Sequence, residues 1–127
     1  MKTILSTPQA PAAIGPYSQG VTLPAHTFTV TSGQLPIDPA TGAFAAHDIA
    51  GQTRQSLENV QAVLAQTGLG MENIIKTTVF LKDMNDFAAM NEVYAAFFPS
   101  EPPARSAVEV ARLPKDALVE IEAIAVR

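Results

Sequence analysis

The strongest constraint on the fold of this chain is a change in its hydrophobic period. Between residues 49 and 64, apolar positions recur at steps of three and four, and Gly68 follows as a stop, which predicts an amphipathic helix. Ile74 to Leu81 is then rich in β-branched residues and predicts a strand buried on at least one face. A second helix is expected between the capping residues 83–85 and Pro99. The apolar positions of the two predicted helices are Ile49, Thr53, Leu57, Val60 and Leu64, then Phe87, Met90, Tyr94 and Phe97.

Short strand-like segments flank the two predicted helices. Three precede them, at Met1 to Ser6, Val21 to Leu23 and Phe28 to Ser32, and we expect the second and third to form a hairpin. Two follow, at Arg105 to Val110 and Leu118 to Val126. The predicted order is βββαβαββ. This order favours an α+β two-layer sandwich, in which one mixed sheet has both helices packed on one face.

The composition predicts that this sheet is shared between subunits. At 127 residues the chain fits one domain, spanning 1–127, yet 47% of it is hydrophobic and only 16% is charged. The sheet face without helices would be bare. Packing against other copies of the chain best explains so apolar a surface, and we therefore expect an oligomer.

Charge and residue usage exclude several classes of function. Eight Lys and Arg against twelve Asp and Glu give a net charge of -4 without a basic run, so nucleic acid is not an expected partner. The chain has no cysteine, which excludes thiolate nucleophiles and Cys-ligated metals. His26 and His47 are too far apart in sequence to indicate a metal site. No apolar stretch approaches the roughly 18 residues of a membrane span, and a cytoplasmic protein is expected.

The last two strand-like segments place charges among apolar residues. Arg105 opens the first, and Glu120 and Glu122 alternate with Val, Ile and Ala in the second. If the segments pair as a hairpin, matching their apolar faces puts Arg105 on the same face as the two glutamates, away from the helices. This face could be solvated with surface ion pairs, or hold a buried ion pair between subunits. It could also be a site where a guanidinium binds a ligand carboxylate beside a glutamate that handles a proton or a water.

Five segments in order, which span nearly the whole chain, resemble one known family. They are Ala12–Gly20 (AAIGPYSQG), Thr31–Pro36 (TSGQLP), Gln55–Val60 (QSLENV), Lys76–Phe87 (KTTVFLKDMNDF), and Pro103–Ser106 (PARS) with the residues that follow to Val126. In these segments the chain resembles the RidA/YjgF family of reactive-intermediate imine deaminases. So many motifs in one order are more specific than any single short motif.

The resemblance implies both a fold and an activity. The fold is a chorismate-mutase-like α+β fold, assembled as a homotrimer whose sheets pack into a central barrel, with sites in clefts between adjacent subunits. The activity is hydrolysis of 2-imino acids and their enamine tautomers, such as 2-aminoacrylate, 2-iminopropanoate and 2-iminobutanoate, to 2-oxo acids and ammonia. The expected ligand is thus a small anionic imino or oxo acid, and no metal or organic cofactor is expected. The implied role is enamine detoxification in amino-acid metabolism.

The resemblance also assigns roles to single residues. It implies that Arg105 anchors the substrate carboxylate and that Glu120 orients or activates the attacking water, which makes these the two expected catalytic residues. Tyr17 is implied to cap the ligand, and Gly33 to let the backbone approach it closely. The residues expected to bind substrate are Tyr17, Ser32, Gly33, Asn91, Arg105 and Ala107.

At one of these positions the chain departs from many members of the family, which have Cys where this chain has Ala107. A mechanism that used the thiol is impossible here, whereas main-chain recognition through this position survives, so deaminase activity is expected to remain. One alternative is a non-catalytic regulatory protein that binds 2-oxo acids, which would tolerate loss of Glu120. Another is a ribonuclease or translation inhibitor, against which the acidic balance argues.

Overall fold

The structure, a computed structural model, describes residues 2–127, in which there are two α-helices, three single-turn 3-10 helices and eight strands. The strands are β1 (Thr3–Leu5), β2 (Gly20–Thr22), β3 (Phe28–Val30), β4 (Ile37–Asp38), β5 (Ala43–Phe44), β6 (Ile74–Leu81), β7 (Ala104–Glu109) and β8 (Val119–Val126). The helices are α1 (Ile49–Ala65) and α2 (Phe87–Phe97). Two strands that the predicted order does not contain, β4 and β5, pair with each other in a short ladder before α1. Met1, the first residue of the first predicted strand, lies outside the described residues.

A four-stranded mixed sheet in the order β3-β8-β6-β7 forms the centre of the molecule. The pairing of β6 with β7 is parallel, and the other two pairings are antiparallel. Both helices cover one face of this sheet, which confirms the predicted two-layer α+β fold. The core between the layers includes Leu57 and Leu64 from α1, Met90 and Tyr94 from α2, and Val79, Leu81, Val119 and Ile121 from the sheet.

The ends of the helices follow from local sequence. Gly68 lies just after α1 with a φ of +73°, a left-handed conformation that glycine adopts without strain. Before α2, the Asp83 side chain accepts a hydrogen bond of 2.9 Å from the N–H of Asn85. The carboxylate of Glu109, at the end of β7, accepts another of 2.8 Å from the N–H of Met84. The second bond ties the segment before α2 to the end of β7.

The first predicted hairpin is wrong. The segments predicted at Val21–Leu23 and Phe28–Ser32 form strands, but β2 pairs with β1 and β3 pairs with β8. A hairpin of two three-residue strands has little stability alone, whereas β3 gains a long antiparallel partner on the free edge of β8. A backbone bridge between Ser18 and Ala104 then joins the segment before β2 to the start of β7.

The second predicted hairpin is also wrong, and this changes the position of Arg105. β6 lies between β7 and β8, because β6, α2 and β7 form a β-α-β unit whose strands run parallel. Arg105 is opposite Thr77, which faces the helices, while Glu120 is opposite Phe80, which faces away from them. Since opposed residues point to the same side of a sheet, Arg105 and Glu120 lie on opposite faces.

The sheet face without helices is bare and partly apolar. Phe28 is 67% exposed, Val30 68% and Val108 43%, and all three project from this face. Glu120 and Glu122 lie on it as well, and the ammonium of Lys76 donates a hydrogen bond of 3.1 Å to the hydroxyl of Ser106. Exposed aromatic and valine side chains on one sheet face are typical of a surface that another protein surface covers.

Candidate active site

Arg105 lies at the edge of the helix-covered layer, among three aromatic rings. Its guanidinium carbon is 4.8 Å from the ring centroid of Tyr94, 5.4 Å from that of Phe87 and 5.5 Å from that of Tyr17. At such distances the negative faces of the rings attract the cation. We call this arrangement, Tyr17, Phe87, Tyr94 and Arg105, the arginine cradle.

Asn91 of α2 orients the guanidinium within the arginine cradle. Nη1 of Arg105 donates a hydrogen bond of 2.6 Å to Oδ1 of Asn91. Within residues 2–127, no carboxylate forms an ion pair with Arg105. Burial lowers the pKa of Arg105, and the nearby Tyr94 and Tyr17 act in the opposite direction, but an arginine stays charged throughout the working range of a protein. The half-buried cation therefore keeps donors free for an anion.

Tyr94 forms the floor of the arginine cradle. Its hydroxyl is 2.7 Å from Oγ1 of Thr77 on β6, and its side chain is fully buried. Burial raises the pKa of Tyr94 to about 12, and the hydrogen bond to Thr77 and the charge of Arg105 oppose that rise. The hydroxyl is thus neutral at physiological pH, which suits a structural role beneath the guanidinium.

Tyr17 closes the arginine cradle from a loop. Its N–H donates a hydrogen bond of 2.7 Å to the carbonyl of Gly15, and its hydroxyl accepts one of 3.3 Å from the N–H of Ile14. The next residue, Ser18, donates a backbone hydrogen bond of 3.0 Å to the carbonyl of Pro103, two residues before Arg105. The loop and the first residues of β7 are therefore held side by side.

Glu120 belongs to a second group of residues, on the other face of the sheet. A Cβ added to Gly33 would lie 2.0 Å from Oε2 of Glu120. The carboxylate can therefore occupy its present position only if residue 33 is glycine. The backbone of Gln34 exchanges hydrogen bonds of 2.7 and 3.2 Å with Ile121, which holds this loop beside β8. Ser32 is exposed next to Gly33. Among the described residues, the half-buried Glu120 carboxylate has no hydrogen-bond or ion-pair partner.

Asn59 of α1 fastens the loop that carries Gly33. Its amide nitrogen donates hydrogen bonds of 3.0 Å to the carbonyl of Leu35 and 2.9 Å to that of Ile37. Its amide oxygen accepts one of 2.8 Å from Gln55. The segment next to Glu120 is thus anchored on a helix, which favours a fixed position for its backbone.

The structure divides the predicted site residues into two groups within one chain. Tyr17, Asn91, Arg105 and Ala107 lie at the helix-covered side of the β7 edge, with Ala107 opposite Val79. Ser32, Gly33 and Glu120 lie together across the sheet. The prediction that Arg105 and Glu120 share a face is therefore wrong, because within one chain they lie on opposite sides of the sheet.

Sequence reasoning missed two members of the arginine cradle. Phe87 and Tyr94 were assigned only to the apolar stripe of α2, yet both contact the Arg105 guanidinium. The signal was present in their spacing, since Phe87, Asn91 and Tyr94 are four and three residues apart and so share one helix face. A polar amide within an aromatic stripe indicates a polar partner opposite that face.

The two groups suggest a definite kind of chemistry. A fixed guanidinium with free donors binds a carboxylate through charge-assisted hydrogen bonds, and an unpaired glutamate can take up and return a proton. Residues 2–127 contain no cluster of three His, Asp or Glu side chains placed to hold a metal ion. In the same part of the chain, neither helix has the length and apolar character that crossing a membrane requires.

Comparison with known sequences gives the chain close relatives. Residues 7–127 match the family model described as Endoribonuclease L-PSP. The 2-iminobutanoate/2-iminopropanoate deaminase of Salmonella typhimurium is 58% identical over 130 residues, an alignment that covers 100% of this chain and 99% of the relative. The Escherichia coli protein of the same name is 56% identical over 130 residues with equal coverage.

Solved structures agree with this similarity. The crystal structure of the Escherichia coli YjgF gene product has a TM-score of 0.76 at 56% identity and covers 98% of both chains. The crystal structure of Escherichia coli TdcF with bound serine has a TM-score of 0.76 at 54% identity, again covering 98% of both chains. Both similarities extend over nearly the whole length of this chain.

Proposed function

The chain belongs to the endoribonuclease L-PSP family, also called the RidA/YjgF family, and on this basis we propose that it is a deaminase of 2-imino acids. Its substrates are 2-iminopropanoate, 2-iminobutanoate and their enamine tautomers, including 2-aminoacrylate. The products are the matching 2-oxo acids and ammonia. Full-length relatives at 56% and 58% identity bear the name of this activity.

In this proposal, Arg105 binds the carboxylate of the substrate. The observation that supports it best is the half-buried guanidinium, surrounded by three rings, held by Asn91 and lacking a carboxylate partner among the described residues. The α-carboxylate of an imino acid provides the missing counter-ion. The serine bound to TdcF has an α-carboxylate of the same kind. Burial beside aromatic rings strengthens such a charge-assisted pair relative to one in open water.

The reaction needs a positioned water and a proton carrier. Glu120 takes a proton from a water molecule as the water oxygen adds to the C=N carbon, and Glu120 then gives this proton to the nitrogen. The remaining proton of that water, now on the hydroxyl of the carbinolamine, then passes to the nitrogen as the C–N bond breaks and the C=O bond forms, so one imino acid and one water give one 2-oxo acid and one ammonia. An imine conjugated to a carboxylate is reactive by itself, so position and general acid-base catalysis suffice. Neither a thiol nor a metal is needed, which is consistent with Ala107 and with the absence of cysteine.

The site is formed between copies of the chain in this proposal. Arg105 and Glu120 lie on opposite faces of the sheet, so one small ligand cannot contact both within a single subunit. In a homotrimer with the bare sheet faces packed into a barrel, the arginine cradle of one subunit faces Glu120 of the partner subunit. The exposed Phe28, Val30 and Val108 provide apolar area for this packing.

A competition assay tests the activity. An amino-acid dehydratase generates 2-iminobutanoate in a buffer that mimics the cytoplasm, where we expect the protein to detoxify enamines. Semicarbazide traps the imine that is not hydrolysed. The wild-type protein should speed formation of 2-oxobutanoate, and Arg105→Ala should remove that effect. If the wild type does not shorten the lifetime of the imine, or if Arg105→Ala is as fast, the proposal is wrong.

The two alternative functions are separable from this one. A regulatory protein that only binds 2-oxo acids needs Arg105 but not Glu120. Under that alternative, the Glu120→Gln protein should still bind the ligand and should otherwise behave like the wild type. The family name suggests a ribonuclease, but the net charge of -4 disfavours the contacts that an RNA backbone requires. Absence of RNA binding even at low salt would exclude it.

A further inference from the structure

Ser18 connects the Tyr17 loop to the strand that carries Arg105. Its side chain is buried, with 6% exposure, and its hydroxyl donates a short hydrogen bond to the carbonyl of Pro102. Its N–H donates a second one, of 3.0 Å, to the carbonyl of Pro103. Two consecutive carbonyls just before Arg105 are therefore bonded to the residue just after Tyr17.

Gln19 holds the other end of the same loop. Its amide nitrogen donates hydrogen bonds of 3.1 Å to the carbonyl of Thr7, 3.2 Å to that of Ala10 and 2.6 Å to that of Pro11. Its amide oxygen accepts one of 2.7 Å from the N–H of Thr7. One side chain thus uses four hydrogen bonds on a loop that otherwise contains proline, alanine and few donors.

We propose that Ser18 and Gln19 are positioning residues, which together fix the Tyr17 ring over the Arg105 guanidinium. Neither side chain reaches the guanidinium, so each acts through Tyr17. Gln19 keeps the loop folded on itself, and Ser18 fixes the folded loop to the start of β7. The ring then stands at its 5.5 Å distance before any ligand arrives.

This inference extends the proposed function but has a test that does not depend on it. The only tyrosines are Tyr17 and Tyr94, and the chain has no tryptophan, so in a Tyr94→Phe background Tyr17 alone fluoresces. The decay of its fluorescence anisotropy then measures how freely the ring moves on the nanosecond scale. Ser18→Ala in this background should add a fast component to the decay.

Thr67→Ala is the matched control. The Thr67 hydroxyl also donates to a carbonyl, that of Leu64, at 2.9 Å, but it lies at the end of α1 and far in sequence from the loop. Thr67→Ala should leave the Tyr17 decay unchanged. Gln19→Ala provides a second test, since it should also loosen the ring while keeping the Ser18 bonds. An unchanged decay in both variants, or an equal change in Thr67→Ala, would overturn the proposal.

The kinetic consequence is measured in the background that keeps Tyr94. Ser18→Ala should raise KM for 2-iminobutanoate about three- to tenfold with a smaller change in kcat, because the ligand must then order one more side chain. Ser18→Thr, which keeps the hydroxyl, should restore most of the lost affinity. If no variant or wild-type protein hydrolyses the imine, the proposed activity fails, while the anisotropy result still decides whether Ser18 and Gln19 hold the ring.

Discussion

Arg105 and Glu120 lie on opposite faces of the same sheet, with strand β6 between the strands that carry them. Among residues 2–127, the arginine has rings and an amide around it but no carboxylate partner, and the glutamate has no cation partner. Each therefore resembles half of a site. If the halves meet between subunits, two inactive variants should complement each other.

Mixed trimers provide that test. Arg105→Ala and Glu120→Gln should each be inactive alone, but after co-refolding at equal amounts about a quarter of the clefts should combine an intact arginine with an intact glutamate. The imine assay should then recover about a quarter of the wild-type rate. Simple mixing without refolding is the control and should recover little. No recovery after exchange, with trimers present by sedimentation, would contradict a shared cleft.

Asn91→Asp should separate stability from activity. The substitution places a carboxylate at the atom that now accepts a hydrogen bond of 2.6 Å from Arg105, and so supplies the counter-ion internally. Unfolding in urea should show a gain of about 1 kcal/mol, while KM for the imino acid rises at least about tenfold because the substrate carboxylate must displace the new one.

Asn91→Leu is the control for that prediction. It removes the hydrogen bond without adding charge, so both stability and affinity should fall. A variant with the aspartate that binds substrate as well as the wild type would show that Arg105 does not bind the carboxylate.

Sequence patterns predicted the elements of the fold better than their order. Residues 49–64 gave a helix because one face is buried, and residues 119–125 alternate strictly between buried and half-buried positions. The order of strands in a sheet depends on which strands pair along their edges. In this sequence, the strand-helix-strand pattern from β6 through α2 to β7 indicates a parallel pair. The predicted hairpin between β7 and β8 is incompatible with that pattern, because β6 lies between these two strands.

The alternation of apolar residues along β7 could not show which face of the sheet carries Arg105. In β7 the exposed Val108 projects from the bare face, and Ala107 packs against the core. Both faces of this strand are partly apolar because the bare face is itself suited to burial, so matching apolar residues cannot tell one from the other. The resemblance to a family identified residues of both groups, and only the structure showed that the two groups lie on opposite faces of the sheet.

Tyr94 should make the fold sensitive to alkali. Its pKa is raised to about 12 in the folded protein, against an ordinary value of 10.0, because burial disfavours the phenolate. The unfolded chain therefore loses this proton at lower pH than the folded one, so the contribution of Tyr94 is complete below pH 10 and declines as the pH rises towards 12. The free energy of unfolding, measured by urea titration at rising pH, should fall by an amount on the order of 2 kcal/mol, and Tyr94→Phe should lack this component.

Gly33→Ala should remove activity while leaving the fold nearly intact. The new Cβ would lie 2.0 Å from Oε2 of Glu120 and 3.0 Å from its Cγ, so the carboxylate must move, but a flexible side chain can do so. We expect kcat to fall about a hundredfold, as for a displaced general base, with a loss of stability near 1 kcal/mol. A double-mutant cycle with Glu120→Ala isolates the cause: once the glutamate is absent, Gly33→Ala should cost neither further activity nor stability. An additive loss would instead indicate that Gly33 acts by its own backbone, independently of Glu120.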